Sequence, residues 1–64
     1  MFIRGFVLDT HEKLAAAQHN QQEVEVYKDG QFLHSGMIGD LQDEAVYINE
    51  GFFLKDRHVF KIRK

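Results

Sequence analysis

Four histidines, His11, His19, His34 and His58, are the only soft metal ligands in the chain, which has no cysteine. On a helix, His11 and His19 would diverge by about 80° and stand ~12 Å apart along the axis, too far to share one ion unaided. No HxxxH or HxH spacing occurs. Ser35 is the sole serine and adjoins His34. Neighbours on a strand point to opposite faces, so the two do not form a nucleophile–base pair. Asp43-Glu44 reads as turn chemistry rather than as a carboxylate dyad. No catalytic spacing emerges, and no metal or cofactor is expected. The chain reads as a non-enzymatic module.

Two other groups of residues point to binding. Residues 23–50 hold seven acidic side chains against the single Lys28, whereas residues 55–64 hold Lys55, Arg57, Lys61, Arg63 and Lys64 against Asp56. Those five cations are the candidate nucleic-acid contacts, because phosphate neutralisation supplies much of that affinity. Phe52, Phe53 and Tyr47 could add stacking. The competing expectation is that the acidic and basic segments neutralise each other across adjacent strands. The second group is the run "GFFL", residues 51–54. Adjacent strand residues alternate faces, so Phe52 and Phe53 cannot both enter one core. They are the candidate protein interface, with a second copy or another protein as the partner.

The elements that must position these residues belong to one small domain, residues 1–64. A chain of this length buries only about 60% of the surface it exposes when unfolded. Disulfides are excluded by the lack of cysteine. The apolar runs are far shorter than the roughly 20 residues of a membrane span. No basic region followed by a long apolar stretch opens the chain, so the sequence reads as lacking a signal peptide, and a cytoplasmic location is the default expectation.

"MFIRGFVL" reads as a leading strand apolar on both faces, with Phe2, Phe6 and Leu8 on one and Ile3 and Val7 on the other. "DTHEKLAAAQHNQQ" reads as a helix, with Asp9 as N-cap, Glu12 three positions later, and Asn20 as the left-handed stop. Leu14 and Ala17, preceded by Leu8 or His11, give it a narrow apolar stripe that the glutamines do not extend. From Glu23 the period changes to two, with Val24 and Val26 inward. Asp29-Gly30 marks a tight hairpin, since both central residues of a type I′ turn need positive φ. A long strand bending at Gly36 and Gly39 follows, then "AVYI", a turn with Gly51 in the left-handed position, "FFLK", and "HVFKIRK" with Phe60 and Ile62 inward. The expectation is an α+β domain: a strand and a helix, then a five-stranded antiparallel SH3-like or Sm-like barrel, closed or nearly so.

Residues 23–62 resemble the Sm-like family, which includes bacterial RNA chaperones. The resemblance lies in Val24, Val26, Gly30, Gly36, Ile38 and Asp43, then "AVYI", and a final pair "FFLK" and "HVFKIR". It implies a helix followed by five bent strands, rings built by pairing the last two strands of neighbouring subunits, and RNA binding. Where bacterial members carry Tyr-Lys-His, this chain has Lys55 followed by Asp56. The Arg-Gly of the archaeal and eukaryal motif is missing, and the leading strand is an addition. The principal expectation is therefore self-association or a protein partner, with an Sm-like RNA-binding ring as the alternative.

Overall fold

The computed structural model describes residues 1–64. One helix, α1 (His11–His19), precedes β1 (Glu23–Lys28), β2 (Gln31–Leu41), β3 (Ala45–Ile48), β4 (Gly51–Leu54) and β5 (Val59–Ile62). The strands form one antiparallel sheet in the order β4-β3-β2-β1-β5. No helix is long and apolar enough to cross a membrane.

β2 organises this sheet. Residues Gln31 to Met37 pair with β1, whereas Ile38 to Leu41 pair with β3. The changeover falls at the two glycines. Gly36 has φ +155°, and a Cβ there would lie 2.7 Å from Asn49 Cβ, so the β3–β4 turn packs directly on its backbone. The register slips between Ile38 and Asp40, which leaves Gly39 as the bulged residue. One strand thereby feeds two differently directed halves of the sheet. The tight turn at Asp29-Gly30 forms as expected, with φ of 52° and 78°.

The core lies on the inner face of the bent sheet. Val24 and Val26 from β1, Val46 and Ile48 from β3, and Phe60 and Ile62 from β5 are buried together with Ile38, Leu8, Leu14 and Ala17. The narrow stripe Leu14–Ala17 is the part of α1 that enters this core. A domain of this size has about 3–10 kcal/mol of net stability. Cutting Ile48 back to alanine costs about 2–5 kcal/mol, enough to unfold much of the population.

Several local expectations are corrected. "MFIRGFVL" is not a strand: Arg4 and Gly5 form a turn, Gly5 has φ +84°, and only Val7 makes a bridge, to Lys61. Phe2 and Phe6 stack at 4.5 Å against the core, while Ile3, at 77% exposure, stands in solvent. The N-cap of α1 is Thr10, whose hydroxyl accepts from Lys13 N–H. Asp9 instead pairs with the Lys13 ammonium at 2.7 Å. The left-handed residue ending the helix is Gln21 (φ 54°), because Asn20 stays right-handed. In the β3–β4 turn the left-handed residues are Asn49 and Glu50, and Gly51 already belongs to β4.

Closure is the largest correction. β4 and β5 terminate the sheet at opposite ends and do not pair, so it is open. The N-terminal residues partly fulfil the role closure would have served. Leu8 N–H donates to Phe60 O at 2.8 Å, Gly5 N–H to Ile62 O at 2.8 Å, and Ile62 N–H to Phe6 O at 2.9 Å. The edge of β5 facing away from β1 is thus covered by residues 5–8.

Candidate interaction surface

The hairpin β3–β4 turns over Asn49-Glu50 and pairs Val46 with Phe53 and Tyr47 with Phe52. Alternation sends the two phenylalanines to opposite faces. Phe53 goes inward and packs against the core, its ring 5.2 Å from that of His34 and 5.3 Å from that of His58. A Cβ on Gly51 would come within 2.5 Å of this ring, so glycine is what admits it. Phe52 goes outward. It meets Tyr47 edge to face at 4.9 Å, and the two remain 53% and 39% exposed.

The backbone of β4 sharpens this picture. Lys55 N–H donates to Glu44 O at 2.9 Å. Hydrogen-bonded and non-bonded pairs alternate along an antiparallel ladder, so Gly51, Phe53 and Lys55 turn their amide groups toward β3. Phe52 and Leu54 turn theirs away from it. The Leu54 carbonyl is taken, accepting from Arg57 N–H at 3.2 Å and facing His58 Nδ1 at 2.9 Å. The Phe52 N–H and C=O remain as an unpaired couple on the open edge, beneath an exposed aromatic pair.

A second aromatic contact lies at the other hairpin. Phe32, 51% exposed, meets Tyr27 at 5.8 Å. These residues sit on β1 and β2, whose neighbours are both in place. On the side away from β1, Gln31–Met37 pair with no strand, so this exposed face borders an unpaired flank inside the sheet rather than a terminal strand. The Tyr27 hydroxyl donates to Glu25 Oε1 at 2.9 Å, and this bond together with the carboxylate's charge raises the phenol pKa above its ordinary value.

The five cations do not act alike. The Lys55 ammonium donates to Asp43 O at 2.9 Å and to His11 Nδ1 at 2.7 Å. Lys61 lies over the Tyr27 ring at 4.7 Å, opposite Glu25. Arg63 donates to the Ser35 hydroxyl at 2.7 Å and pairs with Glu23 and Glu25 at 3.5 and 3.9 Å. Cross-strand neutralisation therefore operates between β1 and β5. Arg57 and Lys64 are exposed and make no side-chain bond within the chain. The structure divides the set between the β4–β5 turn and the outer face of β5.

Beside α1, a cleft of about 210 Å³ has Leu8, Leu14 and Phe60 along its apolar side and His11, Lys55 and His58 along its polar side. The four histidines remain dispersed: His34 Nε2 lies 2.8 Å from Ile48 O, His58 bonds Leu54, and His11 meets Lys55.

One structurally important residue escapes a sequence reading. Gln22 is only 5% exposed. Its side chain accepts from Phe2 N–H at 3.0 Å and donates to Phe2 O at 2.8 Å and Lys64 O at 3.3 Å, tying the two ends of the chain together. The only sequence signal is that Gln22 lies two positions before Val24, on the inward side of the period-two pattern. Compared with family models, curated proteins and solved structures, the chain matches none in any of the three sets.

Proposed function

We propose that this domain is a small SH3-like or Sm-like module whose sheet stays open instead of closing into a barrel. It works without catalysis, by binding protein chains and in the first instance another copy of itself. The observation that supports this reading is the open β4 edge. It carries the unpaired Phe52 amide group and the exposed Tyr47–Phe52 pair side by side. An uncovered edge bearing large apolar side chains templates further strand pairing unless a partner occupies it. The alternative, an Sm-like RNA ring, draws less support. Three of the five candidate cations are already engaged, and residues 5–8 lie on the strand edge a ring would use.

The test is native mass by light scattering at two salt concentrations, for the unaltered chain and for Phe52→Glu. The side chain of Phe52 is outside the core, so the variant should keep its circular dichroism and melting temperature while losing assembly. A chain monomeric at all accessible concentrations, or an assembly unchanged in Phe52→Glu, refutes the reading. Salt-sensitive RNA binding lost in Lys55→Gln/Arg57→Gln would favour the alternative.

A further inference from the structure

The two ends of the sheet are not equivalent, and this restricts how copies can join. A ring or filament made by strand pairing needs two different free edges on each copy, because its contacts are heterologous. Here the edge of β5 is occupied, with Leu8, Gly5 and Phe6 bonded to Phe60 and Ile62. Of the two terminal strands only β4 is open. The other stretch with no strand on one side, Gln31–Met37 of β2, has the β3–β4 turn packed on Gly36 and at the His34 ring. Pairing between terminal strands is therefore isologous, with β4 meeting β4 of a second copy about a two-fold axis.

The register follows from the available groups. Phe52 is the one β4 residue whose N–H and C=O both point outward and both lack a partner in the chain, since the Leu54 carbonyl is already engaged. A two-fold axis beside Phe52 lets each Phe52 N–H donate to the other copy's Phe52 C=O. Directly opposed residues of an antiparallel pair share a face, so this register also sets the two exposed phenyl rings next to each other. Charge complements the arrangement. β4 is preceded by Glu50 and followed by the turn Lys55-Asp56-Arg57, in which the Lys55 ammonium is held by Asp43 O and His11 and the exposed Arg57 is the free cation. Antiparallel pairing brings the Glu50 end of one copy beside the Arg57 turn of the other, and does so twice. A parallel arrangement would place like charges together.

We infer that the chain forms a closed two-fold dimer by antiparallel β4–β4 pairing centred on Phe52, giving a continuous ten-stranded sheet, while the N-terminal segment seals the β5 edge against further growth. This rests on the self-association reading above and adds its symmetry and stoichiometry. Two four-residue strands make a small contact, so a dissociation constant of order 10 µM or weaker is expected.

The experiment uses the full chain made by chemical synthesis with N-methyl-Phe52, beside the unmodified chain. The substitution removes one donor and blocks the edge sterically but keeps the phenyl ring. The expected result is a dimer for the unmodified chain, and a monomer with the same fold for the N-methyl form, its dimer dissociation constant raised at least tenfold. A second readout leaves the sequence unaltered: in a mixture of isotope-labelled and unlabelled unmodified chain, intermolecular Overhauser contacts are expected between the Phe52 rings of the two copies and none from Lys28 at the far hairpin. An N-methyl form that dimerises as before, an assembly larger than two, or a dimer without intermolecular contacts at Phe52 overturns the two-fold contact and leaves self-association standing. A chain monomeric up to about 1 mM overturns both.

Discussion

Gln22→Met tests how the β5 edge is kept closed. Methionine keeps the length of the side chain and its burial but removes both hydrogen-bonding ends. Three bonds are lost, two to the backbone of Phe2 and one to Lys64 O. A hydrogen bond contributes about 1 kcal/mol net. Phe2 is half-buried, so water can replace part of what is lost. The longest of the three bonds, at 3.3 Å, contributes least. The loss should therefore be about 1.5–2.5 kcal/mol. For a domain of this size each kcal/mol moves the midpoint by roughly 4–8 °C, which places the expected fall at about 6–20 °C. The effect should also be local before it is global. Ile62 N–H, bonded to Phe6 O at 2.9 Å, reports directly on the N-terminal segment. Its hydrogen-exchange protection should drop about ten- to seventyfold, with a smaller change at Val46, which lies in β3 on the other side of β2. Loosening this segment uncovers the second sheet edge, so native mass at high concentration should also rise above that of the unaltered chain. A midpoint within about 2 °C of the parent together with unchanged Ile62 protection would refute the reasoning.

Three further outcomes follow from other residues. Gly36→Ala places a Cβ 2.7 Å from Asn49 Cβ at φ +155°, and should cost about 2–4 kcal/mol in urea unfolding; a loss below about 0.5 kcal/mol would mean that the turn yields freely. Gln21→Gly relieves a left-handed residue at the end of α1 (φ 54°) and should stabilise by about 1 kcal/mol; a lower urea midpoint would contradict the strain argument. The Tyr27 phenol pKa is raised by its bond to Glu25 and that carboxylate's charge. The associated stabilisation is complete below the ordinary phenol value of 10.0 and disappears as pH rises through the higher folded value. In a Tyr47→Phe background, phenolate absorbance should rise at higher pH than for free tyrosine, and Glu25→Gln should move it down; coincident curves would count against the bond.

Much of the sheet was legible because a period of two survives wherever one face is buried. Val24/Val26, Val46/Ile48 and Phe60/Ile62 all went inward as the pattern required. The opposite destinations of Phe52 and Phe53 follow from the same geometry. What misled was local chemistry that several residues can satisfy equally well. Asp9 and Thr10 are both good caps, and the choice fell to Thr10 because the Asp9 carboxylate is held by Lys13. Left-handed positions went to Gln21, Asn49 and Glu50 rather than to Asn20 and Gly51, because the packing of neighbouring elements outweighs a conformational cost of about 1–2 kcal/mol. The leading segment has the composition of a strand, but the turn at Gly5 interrupts it and only residues 5–8 reach β5. Gln22 was illegible because its partners lie at the two ends of the chain, and tertiary contacts leave no periodic trace.

The strand order also sets an order of assembly. β1–β2, β2–β3 and β3–β4 join neighbours in the chain through short turns, so these four strands form a meander of local contacts. The single distant pairing is β1 with β5, where Val24 meets Ile62. Bringing such remote positions together costs about 3 kcal/mol of chain entropy before any contact rewards it. β5 and the N-terminal residues that bond to it therefore join last, and they join together. Mutations at Val46 should slow folding, whereas mutations at Ile62 should mainly speed unfolding. Until that final step the β1 edge is bare, so the interval before β5 docks is when one chain is most able to pair with the wrong strand of another.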